Sequence, residues 1–383
     1  MTKTILCTGG AGYIGSHTVV QLLQLGFRVL VADDLSNSNA EVFERIASIC
    51  DGKRPIFRKL DLASDAGKEG LRDLLQEFPV DATVHFAGLK SVGESTRMPV
   101  RYYDVNVKAL LNTLAVLDEV GARRLIFSSS ATVYGNMTGE QGFSEASPAL
   151  AENCTNPYGM SKFVQEEILR DVARHDSAWR FVVLRYFNPI GAHVSGLIGE
   201  DPNDIPNNLL PYICQVAVGR LPQLQVFGSD YPTCDGTGVR DYIHVVDLAR
   251  GHVQALELFF AHARFAREQL VPADERVHVF NLGTGNGYSV LQVLRAMEKA
   301  VGRELPYALV ARRLGDVATS LADPSKANRV LGWQAQHGIE DMCRDAWRWQ
   351  STNPQGYATV TDKHTHTGTD KATAAGAEAG QDS

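Results

Sequence analysis

Apolar positions cluster into short runs that alternate between strand and helix character over the first half of the chain. Thr4 to Thr8 (TILCT) is a β-prone run. After a glycine-rich break, Val19, Val20, Leu22, Leu23 and Leu25 give an apolar helix that stops at Gly26. Arg28 to Asp33 (RVLVAD) reads as a second strand. Ile56 to Lys59, Ala82 to Phe86, Arg124 to Ser128 and Arg180 to Arg185 are further strand patterns. Helical patterns lie between them, notably Val100 to Leu117 and Pro157 to Arg174. Such alternation with apolar strands predicts a parallel sheet covered on both faces.

The texture changes after Asn188. Pro189, Pro202, Pro206, Pro211 and Pro222 come with many glycines, and regular alternation is lost. A smaller, irregular lobe is expected here, packed at the C-terminal edge of the sheet where ligands bind. Val277 to Leu282 (VHVFNL) reads as a strand able to rejoin the first sheet. From about Gln355 the chain turns to Thr, Ala, Gly, Asp and His, and Thr359 to Ser383 is too poor in large apolar residues to order itself. No internal repeat is present. The expected organisation is a nucleotide-binding domain over residues 1–188, with part of 240–285 rejoining it. A substrate lobe follows over 189–357, then a disordered tail over 358–383.

Between the first strand and helix lies Gly9-Gly10-Ala11-Gly12-Tyr13-Ile14-Gly15. Gly9 permits a tight turn, Gly12 lets backbone approach a pyrophosphate, and Gly15 lets the helix pack closely. The helix N-terminus then offers free N–H groups to phosphates. The second strand ends in Asp33-Asp34, at the distance expected of a carboxylate that bonds a ribose 2′-hydroxyl and repels a 2′-phosphate. NAD is therefore favoured over NADP. The competing reading of Asp33 is a helix cap. These signals define the fold class as α/β: a Rossmann-type doubly wound parallel sheet with a smaller irregular α+β substrate lobe.

A second constellation is Tyr158-Gly159-Met160-Ser161-Lys162. Tyr and Lys at i and i+4 share a helix face. An ammonium beside a phenol favours the phenolate, which is how a protein makes an oxygen base near neutral pH. Of the 12 tyrosines, only Tyr158 has Lys four residues on.

Composition narrows the partners. The 383 residues carry 44% hydrophobic and 21% charged residues, ordinary for a globular chain. A net charge of −7 argues against binding a nucleic-acid backbone. No apolar run approaches the roughly 20 residues a membrane span needs, and the N-terminus enters a strand at once, so no signal peptide is expected. The six cysteines (Cys7, Cys50, Cys154, Cys214, Cys234, Cys343) are scattered, as free thiols in a reducing cytoplasm would be. His85, His244 and His252 lack metal-ligand spacing, so no metal is expected.

The glycine turn, Ser128 to Gly135 (SSSATVYG) and the Tyr158/Lys162 pair occur in the order of an extended short-chain dehydrogenase/reductase, which the chain resembles. Gly9 to His17 (GGAGYIGSH), His85 to Lys90 (HFAGLK), Leu184 to Gly191 (LRYFNPIG), Gly199 to Pro202 (GEDP), Ile205 to Pro211 (IPNNLLP), Asp235 to His244 (DGTGVRDYIH), Asn281 to Gly285 (NLGTG) and Arg312 to Asp316 (RRLGD) resemble the UDP-glucose 4-epimerase family. The resemblance covers roughly residues 1–357. It implies interconversion of UDP-glucose and UDP-galactose by transient oxidation at sugar C4, with NAD held permanently. It implies Tyr158 as base, Lys162 as its partner, and Ser130 as a donor to the O4 oxygen, with Thr132 a second candidate.

Carried over residue by residue, the resemblance places NAD against Tyr13, Ile14, Asp33, Asp34, Asp61, Leu62, Phe86, Ala87, Lys90, Asn106, Ser130, Tyr158, Lys162 and Phe187. Phe86 and Phe187 have an alternative reading as core aromatics, and for Phe187 the two readings stand level. On the substrate side it nominates Ser130, Thr132, Tyr158, Asn188, Asn208, Arg240, Arg313 and Asp316, the two arginines suiting a diphosphate. Ser320 departs from the family, where many bacterial relatives carry Tyr. The smaller residue leaves room for an N-acetyl group at sugar C2, so UDP-N-acetylhexosamines are expected as further substrates. Family relatives pair through the two long helices, so a homodimer is expected. Two alternatives compete. A nucleotide-sugar 4,6-dehydratase needs an acid and base where this chain has Ala131 and Thr132, which do not ionise near pH 7. An NAD-sensing protein without activity would be expected to lose Tyr158 or Lys162.

Overall fold

The structure is a computed structural model. It describes residues 2–135, 139–203, 205–261, 265, 268, 270–272, 274–313 and 316–357, and the tail expected over 358–383 lies outside the described residues. Strands β1 (Thr4–Thr8), β2 (Arg28–Asp33), β3 (Ile56–Lys59), β4 (Ala82–His85), β5 (Arg124–Ser130), β7 (Arg180–Tyr186) and β11 (Val277–Leu282) form one sheet, in the order β11-β7-β5-β4-β1-β2-β3. Every pairing in it is parallel. The order reverses between β1 and β4, and a crevice at such a switch point is where a doubly wound sheet takes its ligand.

Strand residues alternate between two cores. Ile5, Cys7, Val29, Val31, Val84 and Ile126 pack on one face with helices α1 (Tyr13–Gln24), α2 (Glu41–Ile49) and α8 (Val245–Phe260). Leu6, Leu30, Leu125, Phe127, Phe181 and Val183 pack on the other with α3 (Asp65–Glu77), α5 (Pro99–Glu119) and α6 (Pro157–His175). All of these strands but β4 carry apolar residues on both faces of the sheet, which accounts for their near-continuous hydrophobic runs. A short helix, α4 (Val92–Arg97), precedes α5.

Boundaries moved where they matter to the site. β5 runs two residues past the expected Ser128, so Ser130 is its last residue. β4 stops at His85, and Phe86 opens the loop. The irregular lobe contains two small sheets. β6 (Gly139–Phe143), β8 (Asn188–Ile190), β10 (Val239–His244), β12 (Gly287–Ser289) and β14 (Thr319–Ala322) form a mixed one, and β9 (Leu224–Phe227) pairs with β13 (Tyr307–Val310). They pack with α7 (Leu209–Ala217) and the helices Val290–Val301 and Ile339–Thr352 around Tyr242, Ile213, Leu294 and Met342. The chain weaves between the lobes. β6 leaves the first half to pair with β14, and β11 returns to the edge of the large sheet. β10, also inside the stretch expected to rejoin, stays in the mixed sheet.

Candidate functional site

The turn after β1 is built by glycine. Gly9 has φ +69°, and a Cβ there would lie 2.6 Å from the Ala87 nitrogen. A Cβ on Gly15 would lie 2.4 Å from the Gly9 carbonyl oxygen, so only glycine lets helix α1 close onto the turn. Gly12 is the N-cap of α1, and no side chain caps the helix or offers acid in its first turn. The leading N–H groups at Tyr13 and Ile14 are thus free for an anion. Tyr13 donates its hydroxyl to the Gly191 carbonyl (2.7 Å), and Ile14 packs against the core.

At the end of β2 the buried Asp33 carboxylate accepts from the Ala11 N–H (2.9 Å) and from the Leu35 N–H and Ser38 hydroxyl (both 2.9 Å). Burial pushes its carboxyl up, and these bonds oppose that. Asp33 therefore ties the glycine turn to β2, and its Oδ2, which accepts a single bond, keeps lone-pair capacity for a further donor. Asp34 accepts from the Ser36 N–H (2.9 Å) and hydroxyl (2.7 Å). Beyond β3, Asp61 is exposed and Leu62 buried. Beyond β4, Asn106 is buried and holds the loop on both sides, receiving the Leu89 N–H at 2.7 Å and donating to the Leu89 carbonyl at 3.1 Å. The same amide donates to the Ser161 hydroxyl (3.1 Å), which joins this loop to α6. Half-buried Phe86 lies 4.9 Å from the His252 ring. Phe187 sits in a buried cluster with Val133, Tyr134 and Phe143, the core role weighed for it above.

The reactive groups meet where β5 ends. Ser130 caps the tight turn Ala131–Tyr134, accepting from the Thr132 N–H (3.2 Å) and hydroxyl (2.9 Å). Ser130 also neighbours the Tyr158 phenol, and its hydroxyl proton is free to be donated there. Asn156 caps α6 through the Gly159 N–H (2.9 Å), with Pro157 in the first turn. A Cβ on Gly159 would lie 3.0 Å from the Thr132 carbonyl oxygen, so glycine brings Tyr158 close to that turn. Burial pushes the half-buried Tyr158 phenol above its ordinary value, and Ser130 acts against this. Lys162 does not point its charge at the phenol. Its buried Nζ donates to the Ser128 carbonyl (2.7 Å) and lies 4.9 Å over the Phe127 ring. Burial pulls its pKa down to about 7.

The second lobe contributes the substrate-side candidates. Half-buried Asn188 donates to the Asp241 carbonyl (3.0 Å). Asn208 and Lys90 both donate to Glu200, at 3.1 and 2.8 Å, so one carboxylate joins a residue nominated for the substrate to one nominated for the cofactor. Arg240 donates to the carbonyls of Val239 and Val317 (both 2.9 Å) and reaches Asp316 at 3.7 Å. Ser320 stands beside it across the β10–β14 ladder. The Arg313 guanidinium lies 3.8 Å over the Phe227 ring. Sequence reasoning missed Glu200, Phe227 and the buried Glu166–Arg185 pair beneath the reactive groups. Only Glu200 and Arg185 lie in quoted motifs, and neither carries a spacing signal of its own.

A parallel sheet with an uncapped glycine turn at its switch point, and Ser, Tyr and Lys gathered at one strand end, defines a dinucleotide-dependent enzyme of the short-chain dehydrogenase kind. NAD is its cofactor, and the residues fit it: among the described residues no side chain caps the N–H groups at the start of α1, and a buried carboxylate closes β2. The chain belongs to the NAD dependent epimerase/dehydratase family, whose model matches residues 5–264. It is similar to the UDP-glucose 4-epimerase of Bacillus subtilis (strain 168), 51% identical over 356 residues, which cover 92% of this chain and 98% of that protein. The human UDP-glucose 4-epimerase is 49% identical over 365 residues, covering 94% and 99%. The crystal structure of the Bifidobacterium longum UDP-glucose 4-epimerase in complex with NAD+ and UDP superimposes with a TM-score of 0.84 at 47% identity, covering 92% of this chain and all of that one. Among the described residues, no helix is long and apolar enough to cross a membrane.

Proposed function

We infer that this enzyme interconverts UDP-glucose and UDP-galactose, with Tyr158 as the acid–base group at the sugar 4-hydroxyl. The observation that carries the reading is the meeting of Ser130, the last residue of β5, with Tyr158 at the start of α6, with Lys162 one helical turn further on. Bound NAD supplies a reversible hydride acceptor for sugar C4 and is regenerated within each turnover. The protein's own work is the rest. Tyr158 takes the proton of the 4-hydroxyl and later returns it. Ser130, held by Thr132, donates to whichever oxygen carries the charge. Lys162 stabilises the phenolate when its ammonium is turned from Ser128 toward the site. The start of α1 holds the cofactor pyrophosphate, and Asp33, with Asp34 beside it, excludes a 2′-phosphate. Arg240 and Arg313 hold the substrate diphosphate, so that the sugar is free to present its other face. The division of labour follows the chain: residues 1–188 with β11 serve the cofactor, and 189–357 mainly the UDP-sugar. A dehydratase is disfavoured because Ala131 and Thr132 stand where its acid and base belong.

Two finer readings follow. Ser320 replaces a bulky side chain beside Arg240, which favours acceptance of UDP-N-acetylhexosamines. Val100, Tyr103 and Leu111 of α5 are 79%, 37% and 48% exposed and share one helix face, which favours a homodimer through that face. A mass of one chain by light scattering at micromolar concentration contradicts the dimer. The main reading is tested by incubating purified protein with UDP-galactose and no added NAD. UDP-glucose is the expected product, and its absence from folded, NAD-loaded protein overturns the reading.

A further inference from the structure

Helix α6 carries two buried charges one turn apart, Lys162 and Glu166. Both bond the same strand. Lys162 donates to the Ser128 carbonyl (2.7 Å), and Glu166 accepts from the neighbouring Ser129 hydroxyl (2.6 Å). These bonds stand immediately before Ser130 on β5 and begin one turn after Tyr158 on α6. Glu166 is also gripped by Arg185 of β7, through Nε at 3.0 Å and Nη2 at 2.7 Å, and by Arg170 at 3.0 Å. Arg185 donates onward to the Tyr134 hydroxyl (3.0 Å), and Tyr134 to Asn281 of β11 (2.7 Å). The ion pair thus sits at a junction of α6, β5, β7 and the turn that Ser130 caps. A buried pair of this kind gains little stability over apolar packing, because desolvation of the two charges offsets their attraction. Its retention directly beneath the reactive groups calls for another role.

We propose that Glu166 is a positioning residue for Ser130, Tyr158 and Lys162: its carboxylate locks α6 against the end of β5 and supplies the negative charge that keeps Lys162 an ammonium. The proposal rests on the functional reading above. The surroundings of Lys162 agree with it. Facing the amine are His85 of β4, the Phe127 ring and Ser128 carbonyl of β5, and Glu166 of its own helix. Burial pulls the Lys162 pKa down to about 7, and the Glu166 charge opposes that pull. His85 brings no compensating charge, since burial holds it neutral. Burial pushes Glu166 itself up, but Arg185, Ser129 and Arg170 outweigh it and its carboxyl lies below the ordinary value. Its field also reaches Cys154, raising that thiol after burial has done so. A neutral Lys162 cannot stabilise the Tyr158 phenolate, so loss of the Glu166 charge brings the alkaline failure of the enzyme to lower pH.

The test uses the NAD-loaded enzyme. The pH profile of kcat is measured for wild type, Glu166→Asp and Glu166→Gln, and the Lys162 side chain is titrated by NMR in lysine-labelled protein. Glu166→Gln is expected to move the alkaline limb and the Lys162 titration down by about one pH unit, the lower end of what one nearby opposite charge does. Glu166→Asp keeps the charge and is expected to hold both near wild type. Because Glu166→Gln leaves Arg185 buried without its counter-charge, the double variant Glu166→Gln/Arg185→Gln is measured beside it and is expected to shift in the same direction. Reduced kcat with an unmoved limb and an unmoved Lys162 titration in the folded Gln variants overturns the proposal and leaves Glu166 a structural residue. Absence of epimerisation in wild type contradicts the functional reading instead, and the NMR titration still decides the role of Glu166.

Discussion

The cofactor side and the substrate side of the site are made differently. On the cofactor side, backbone does most of the work: the turn at Gly9 and Gly12, the free start of α1, and a loop pinned by Asn106. Asp33 and Asn106 are buried and bonded to main chain on both sides. On the proposed substrate side, the candidates are long side chains. Arg313 is exposed on Phe227, Asp316 is exposed, and Arg240 gives two of its bonds to nearby carbonyls. A backbone cradle is pre-formed and costs little to order when the ligand arrives, whereas long arginine side chains lose rotamer freedom on binding. The contrast suits a cofactor that stays and a substrate that must enter, turn and leave.

The largest effect is expected from Tyr158→Phe, which keeps the fold and the bound cofactor but lowers kcat by about 10²–10⁴-fold. Near-normal turnover in that variant would refute the base assignment. Arg313→Ala tests the other side of the contrast. It is expected to raise KM for the UDP-sugar by about 10–100-fold, the scale of a lost charge-assisted bond, with kcat nearly unchanged. An equal fall in kcat would mean that Arg313 acts in the transition state and that the division between the two sides is wrong. Ser320→Tyr is expected to suppress turnover of the N-acetylated UDP-sugars roughly tenfold or more while sparing the plain ones. No N-acetyl activity in wild type removes that reading.

The smallest effect concerns acid. His17, His85 and His252 belong to α1, β4 and α8, and burial depresses them to about 3, about 3 and about 4. The unfolded chain binds their protons near pH 6.5 and the native protein does not. Stability is therefore full above about pH 6.5 and falls as pH drops from there toward the native values. Melting temperature is expected to decline across that window, and less steeply in His17→Gln. A flat profile between pH 7 and 5 would mean that these histidines are not held neutral.

Legibility in the sequence follows the same division. Gly9 and Gly15 stood out because their positions admit no side chain, and the strands of the large sheet because burial on two faces leaves a continuous apolar run. Five of its strands, β1, β2, β3, β4 and β11, lie within the residues expected. The mixed sheet was not legible. β8 and β12 are three residues long, and β6 and β14 find each other across 176 residues or more of chain, too little local pattern to mark either. Tyr158 and Lys162 were visible through their spacing, but the direction of the Lys162 amine was not, because it depends on the Ser128 carbonyl from another element. Glu166 carries no signal by itself. Its meaning appears only when Ser129 and Arg185 are folded against it.

The central claim is that one proton-handling tyrosine serves a hydride that leaves sugar C4 and comes back to it. Following UDP-galactose deuterated at C4 through the purified enzyme tests this most directly. The account predicts UDP-glucose that keeps the deuterium at C4, with no added cofactor and no lasting reduction of the bound one. Product carrying hydrogen from water at C4 would contradict it.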